Sequence, residues 1–202
     1  LARNGEEQAR FVFRDVLRPD AEATIRRLQQ AGMSVEMLSG DSEPGCRNVA
    51  ESLDIKRYAA ALMPADKLAR IELAAANGHR SLMVGDGLND APALSAAHVS
   101  MAPASAADIG RNAADLVFLR DSLAAVPLAI DVSRRAGRLI RQNIGLAIIY
   151  NMVAIPIAVL GHVTPLIAAI AMSGSSMLVT VNALRLLIAE RKLSAAGPNQ
   201  VR

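Results

Sequence analysis

The chain has 202 residues, a formal net charge of +3 and a hydrophobic content of 52%, with aromatic residues at only 2%. That length holds one ordinary domain and a smaller unit. So slight a positive charge and so few stacking rings argue against a nucleic-acid partner, and a single cysteine, Cys46, excludes an internal disulfide framework and a two-cysteine metal motif.

Taken in chain order, the first residues, Leu1-Ala2-Arg3-Asn4-Gly5, carry no initiator Met and no apolar leader. They read as the interior of a longer protein. Asn4-Gly5 is a hairpin-turn dipeptide, with a strand expected over Phe11-Val12-Phe13. A helix is expected over 20–31, with Pro19 near its first turn and Gly32 beyond its end. Val35-Glu36-Met37-Leu38 reads as a strand, followed by a helix to about Asp54. In that helix Cys46 is a small packing residue. Residues 65–77 read as a helix, and Ser81-Leu82-Met83-Val84, Val99-Ser100-Met101 and Leu116-Val117-Phe118-Leu119 as strands. Alternation of this kind predicts an α/β fold with a doubly wound parallel sheet, whose ligands gather at the carboxyl ends of the strands.

Residues 122–141 keep a helical pattern up to an abrupt change of composition. From Asn143 to Leu184 there is no Asp, Glu, Lys or Arg. A spanning helix needs about 20 apolar residues, so this stretch fits two spans joined at Gly161-His162-Val163-Thr164-Pro165, with His162 a turn residue. Arg134, Arg135, Arg138 and Arg141 precede it and Arg185, Arg191 and Lys192 follow it. Basic flanks favour the cytoplasmic side, so both outer ends are expected in the cytoplasm and the turn outside. The expected organisation is a cytoplasmic domain over 1–121, a connecting helix over 122–142, two transmembrane helices over 143–189 and a tail over 190–202.

Polar clusters stand where strands should end. Ser39-Gly40-Asp41 follows one strand, Gly85-Asp86-Gly87-Leu88-Asn89-Asp90 another, and Pro64-Ala65-Asp66-Lys67 opens the helix between them. Phosphoryl chemistry needs a divalent cation on carboxylate oxygens, donors for phosphoryl oxygens and a fixed positive charge. Asp86 and Asp90 offer the carboxylates, Ser39 and the Gly40 amide the donors, and Lys67 the charge. Within the apolar stretch, polar residues are costly and so informative. Tyr150 and Asn151 lie in the first span. Met172, Ser173, Ser175, Ser176 and Asn182 lie in the second, with Met172 and Ser176 on one helix face and the Met thioether a soft ligand suited to Cu(I).

Ser39-Gly40-Asp41, Lys67 and the run from Gly85 to Pro92 resemble the phosphorylation domain of P-type ATPases, a branch of the haloacid-dehalogenase-like fold. Phe13-Arg14-Asp15-Val16-Leu17-Arg18-Pro19-Asp20-Ala21 is similar to the strand and turn leading into that domain. The resemblance implies Mg2+ and ATP as cofactors, with Asp86 the main Mg2+ ligand and Asp90 with it. It further implies that Asn89 and Asp90 order the loop, that Ser39 and Gly40 hold the phosphoryl group, and that Asp41 lies near the nucleotide and the hydrolytic water. Lys67 would offset the charge of an aspartyl phosphate, and Asp15 and Gly87 would be cofactor-binding. The family's Asp-Lys-Thr-Gly-Thr run is absent, since Asp66-Lys67 continues as Leu68-Ala69-Arg70. The nucleophilic Asp and the nucleotide-binding domain are therefore expected outside the chain, which alone should neither hydrolyse ATP nor become phosphorylated.

Tyr150-Asn151 with Met172-Ser173-Gly174-Ser175-Ser176 resembles the last two spans of copper-transporting heavy-metal ATPases. The zinc and cadmium pumps carry an Asp in the last span, which this stretch lacks. The resemblance implies Cu(I) translocation through Tyr150, Asn151, Met172 and Ser176, a copper chaperone as partner, and a multi-pass location in the cell membrane, the inner membrane of a bacterium. The nearest likeness is to the bacterial copper pumps of cytochrome oxidase assembly and nitrogen-fixation gene clusters. Other readings are a zinc or cadmium pump of the same class, a membrane-anchored dehalogenase-like phosphatase, and a short protein acting as an interaction partner.

Overall fold

The computed structural model describes residues 2–3, 6–7, 16–86, 88–119, 122–161 and 164–195. The chain divides into two compact units, Leu1–Pro127 and Leu128–Arg202. The first begins with a minimal antiparallel pair, β1 (Ala2–Arg3) and β2 (Glu6–Glu7). Ala2 faces Glu7 and Arg3 faces Glu6; the Asn4-Gly5 turn expected from the sequence lies outside the described residues. The strand expected at 11–13 lies outside the described residues.

Next comes α1 (Ala21–Gln30), which buries Ala21 and Thr24. Gly32 beyond its end adopts φ +78°, the left-handed conformation that a helix C-terminus asks of glycine. Strand β3 (Glu36–Leu38) leads to α2 (Glu43–Ser52), which starts with Pro44 in its first turn and buries Cys46 and Ala50. Strand β4 (Arg57–Ala59) pairs with β3 in parallel, Glu36 opposite Arg57. The sequence reading missed β4; Arg57-Tyr58-Ala59 is too short and too basic at its start to show a strand period. Helix α3 (Pro64–Ala76) and strand β5 (Leu82–Val84) follow. A one-turn 3₁₀ helix (Leu88–Asp90), α4 (Ala91–Ala96), β6 (Val99–Pro103), α5 (Asp108–Ala113) and β7 (Leu116–Phe118) complete the unit. Strands β5, β6 and β7 form a second parallel sheet in that order.

The helix-flanked parallel sheet expected from the sequence is thus present, but its strands form two sheets. Among the described residues, β3 pairs only with β4 and β5 only with β6, so each keeps one edge without a partner. Strands of parallel sheets are normally covered on both faces. Here the centre of β6 is buried (Ser100, Met101 and Ala102) while all of β5 is half-exposed. The core gathers around β6 with Ala93, Leu94, Phe118 and Val126. The Asp115 carboxylate accepts the Ser100 amide at 2.8 Å and hydroxyl at 3.0 Å, which satisfies a polar residue in that core.

Helix α6 (Ala125–Val159) starts in the first unit, and the second unit consists of its continuation and α7 (Pro165–Ala195). Gly161 at φ +76° helps turn the chain. The Thr164 hydroxyl accepts the Ile167 amide at 3.3 Å at the start of α7. By length and composition both helices can cross a membrane, and no part of either apolar window is buried. A core helix of a water-soluble protein would hide that surface; here Ile148, Ile149, Met152, Ile170 and Leu178 are all exposed.

Candidate active site and membrane pocket

Strand β3 runs directly into Ser39-Gly40-Asp41, and its ladder with β4 continues one step further. The Ser39 amide donates to Ala59 O at 2.9 Å, the Leu62 amide to Ser39 O at 3.0 Å and the Ala61 amide to Asp41 O at 2.7 Å. The loop is therefore stitched along 59–62, and Ala61 takes φ +52° to do so. Gly40 packs close: a Cβ there would sit 3.4 Å from Leu62 O. The Ser39 hydroxyl donates to Asp41 Oδ2 at 3.0 Å and accepts the Asp41 amide at 3.1 Å, a local turn typical of serine. Cys46 supports the loop from α2, its thiol 3.7 Å from Asp41 O. The 59–62 support went unforeseen; the one cue to it is a short apolar run just before Pro64.

Helix α3 begins with Pro64 at a position where a missing amide costs nothing. The Asp66 carboxylate accepts the Met63 amide at 2.9 Å, which fixes the first turn and presents Lys67. Lys67 Nζ donates to Asp90 Oδ1 at 2.7 Å. Asp90 is buried at the end of the 3₁₀ turn behind β5, where it leads into α4. Gly85 makes room for it: a Cβ at Gly85 would lie 2.9 Å from Asp90 Cβ, closer than real Cβ contacts come.

Sequence spacing put Asp86 and Asp90 on one loop, and the structure gives them different surroundings. Asp86 and Asn89 are exposed, whereas Asp90 is turned inward onto Lys67. Ser39 joins Asp41, and Lys67 joins Asp90; no hydrogen bond links the two pairs among the described residues. Asp15 and Gly87 lie outside the described residues. No group of three or more His, Cys, Asp or Glu is arranged to hold a metal among those described. The available donors are carboxylate oxygens, which suit Mg2+; that ion keeps several waters and takes one or two carboxylates plus substrate phosphate.

In the second unit Tyr150 and Met172 line one apolar cavity of about 490 Å³ with Val153, Ala154, Ile167 and Ala171. Asn151 and Ser176 do not line it. Asn182 reaches across to α6, donating from Nδ2 to Asn143 Oδ1 at 2.8 Å. The sequence reading noted Asn182 as polar but had no cue to its partner.

Comparison with known proteins extends this picture. The family model described as haloacid dehalogenase-like hydrolase matches residues 2–98. The nitrogen fixation protein FixI of Rhizobium leguminosarum bv. viciae is 56% identical over 186 residues, covering 92% of this chain and 24% of that protein. Cation-transporting P-type ATPase B of Mycobacterium tuberculosis (strain ATCC 25618 / H37Rv) is 38% identical over 183 residues, 91% of this chain and 24% of that protein. The crystal structure of a zinc-transporting PIB-type ATPase in the E2.Pi state superposes with a TM-score of 0.81 at 33% identity, covering 86% of this chain and 28% of that one. The chain spans about a quarter of the length of the curated relatives it matches.

Proposed function

We propose that the chain is part of a heavy-metal (PIB-class) P-type ATPase, an ATP-driven pump moving Cu(I) across a membrane through an aspartyl-phosphate intermediate; its likeness to the cation-transporting P-type ATPase B and to the zinc-transporting PIB-type ATPase supports this reading. The observation carrying this reading is the Lys67–Asp90 ion pair, whose Asp90 follows β5 on the same loop as the exposed Asp86.

In the proposed reaction a carboxylate oxygen attacks the γ-phosphorus of ATP, the bond to the β–γ bridging oxygen breaks, and ADP leaves. Water then hydrolyses the acyl phosphate to restore the carboxylate and release phosphate. The attacking Asp is outside this chain. Among the described residues β3 and β5 each run into a polar loop and each keep one edge without a strand partner, so the proposal puts that Asp at the end of a strand lying between them. Asp86 and Asp90 would hold Mg2+, which supplies charge neutralisation at the phosphoryl oxygens. Ser39 and the Gly40 amide would donate to those oxygens, and Asp41 would face the nucleotide and the attacking water. Asn89 would order the loop. Lys67 offsets the developing negative charge while keeping Asp90 aligned. Asp15 and Gly87 are proposed at the cofactor.

For the cargo, Tyr150, Asn151, Met172 and Ser176 are the proposed ligands. Two features support Cu(I): the Met172 thioether at the same cavity as Tyr150, and the lack of any carboxylate between Asn143 and Leu184. A soft monovalent ion favours a thioether and does not need a carboxylate. A copper chaperone would deliver the ion. The protein would sit in a bacterial inner membrane with both outer ends of the hairpin in the cytoplasm. The solved relative's zinc transport makes a zinc or cadmium pump the second reading. ATPase activity of the full-length protein, measured with Cu(I), Zn(II) and Cd(II), separates the two. Stimulation by Cu(I) is expected; stimulation by Zn(II) without Cu(I) would reject the ion assignment.

A further inference from the structure

We infer that Ala61 is a positioning residue of the phosphoryl site, holding Asp41 through its own left-handed backbone; the inference rests on the phosphoryl reading of that site. Among the described residues, Gly32, Asp54, Ala61, Gly78 and Gly161 have a positive φ. All but Ala61 stand two residues past the last residue of a helix: α1, α2, α3 and α6. There the left-handed conformation closes the final turn. Ala61, at φ +52°, follows strand β4 instead. A Cβ makes that conformation costly for any residue but glycine, and strain of this kind persists only where the surroundings over-determine it.

The hydrogen bonds around Ala61 supply the reason. The Ser39 amide donates to Ala59 O at 2.9 Å. In a regular parallel ladder Ser39 O would then accept the amide of Ala61. It accepts the Leu62 amide at 3.0 Å instead, so the chain carries one residue more than the ladder needs, a bulge. The turn at Ala61 swings its amide off the ladder and onto Asp41 O at 2.7 Å. The Cys46 thiol reaches the same carbonyl from α2 at 3.7 Å. Gly40 thus lies between two tied residues. Just beyond, the Met63 amide donates to Asp66 Oδ2 at 2.9 Å, in the helical turn that carries Lys67. One short strap therefore joins the Ser39–Asp41 loop to the start of the helix that bears Lys67. Ala61 itself is exposed, so a larger side chain there has room, and a substitution acts on the backbone.

The test follows label on the full-length protein, from γ-³²P-ATP into the acid-quenched phosphoprotein and out again after an unlabelled chase. Ala61→Gly and Ala61→Asn accept a left-handed backbone and should keep the parent's rates. Ala61→Val is close to Asn in size but β-branched, and should slow turnover of the label about tenfold, the scale of a small misplacement at a reacting centre. Asp54→Val puts the same backbone strain before β4 rather than after it. It should lower the thermal midpoint as Ala61→Val does and leave turnover unchanged. Should Ala61→Val fail to fold, Ala61→Leu replaces it, with a slowing of about threefold expected. Parent rates in the Val or Leu variant, equal slowing in Asp54→Val, or slowing in both Ala61→Gly and Ala61→Asn would overturn the proposal. A parent that takes no hydroxylamine-sensitive label would reject the phosphoryl reading and this inference with it. A labelled parent matched by Ala61→Val rejects the role of Ala61 alone.

Discussion

Lys67 Nζ and Asp90 Oδ1 stand 2.7 Å apart, and the contact joins the first turn of α3 to the turn behind β5 with both side chains nearly hidden, at 12% and 13% exposure. A buried pair of this kind is costly to halve, because the remaining charge has neither water nor partner. Lys67→Ala should destabilise the first unit by about 3 kcal/mol. In the full-length protein it should lower phosphoenzyme formation from ATP by about 10²–10³-fold, the usual cost of one fixed donor to a developing charge. The double variant Lys67→Met/Asp90→Leu separates the two effects: chemical denaturation should show stability largely restored, while phosphorylation stays lost. Recovery of phosphorylation in that variant would contradict the assigned role.

Gly85 is fixed by space. A methyl group there would meet the root of the Asp90 side chain at 2.9 Å, and that root cannot swing aside as a flexible tip could. Gly85→Ala should cost about 1–3 kcal/mol through overpacking and push Asp90 off Lys67. Urea denaturation measures the first effect. If Gly85→Ala were as stable as the parent, the close approach would be refuted.

Asp20 ties two distant parts of the first unit. Its carboxylate accepts the Ser122 hydroxyl at 2.6 Å and the Ala124 amide at 3.1 Å, just before α6 begins. Partial burial raises its pKa, but these hydrogen bonds outweigh burial and hold it below the ordinary carboxylate value. A depressed folded-state pKa means stability that is fully present above the unfolded value of about 3.9 and lost as pH falls through the lower folded value. Asp20→Asn should therefore flatten the acid limb of a stability-versus-pH curve below about pH 4 and leave its shape near neutrality unchanged. An unaltered acid limb would show that the carboxylate gains nothing from its partners.

In the second unit the Asn143–Asn182 bond offers a double-mutant cycle. Interhelical amide bonds between apolar helices couple by about 0.6 kcal/mol on average and up to about 1.7. Asn143→Leu, Asn182→Leu and the pair, unfolded in mixed micelles, should show coupling in that range. A value near zero would mean that the two side chains do not meet in the folded hairpin.

Much of this was legible in the sequence because its signals are local. The uncharged stretch with arginine on both flanks announces two long helices. Glycine at 32 and proline at 64 mark helix ends, and the apolar triplets of β5 and β7 stand out between polar turns. The Ser39 and Asp86 loops were found for the same reason: polar residues directly after short strands. What the sequence hid depends on pairing across distance. Strand β4 has no period of its own and forms because β3 offers it an edge. The inward turn of Asp90, as against the exposure of Asp86, follows from Lys67 on another element and from the missing Cβ of Gly85. Asn182 gave no hint of Asn143, since contacts between helices leave no spacing rule in either one alone.

In the proposed reaction the Ser39–Asp41 and Lys67–Asp90 pairs, with Asp86, form one half of an aspartyl-phosphate centre. The most direct measurement is acid-quenched labelling with γ-³²P-ATP of three samples: the full-length protein, its Asp86→Asn variant and the 202-residue chain. A hydroxylamine-sensitive phosphoprotein is expected in the first, little or none in the second and none in the third. Labelling of the isolated chain, or full labelling of the Asp86→Asn protein without magnesium dependence, would contradict it.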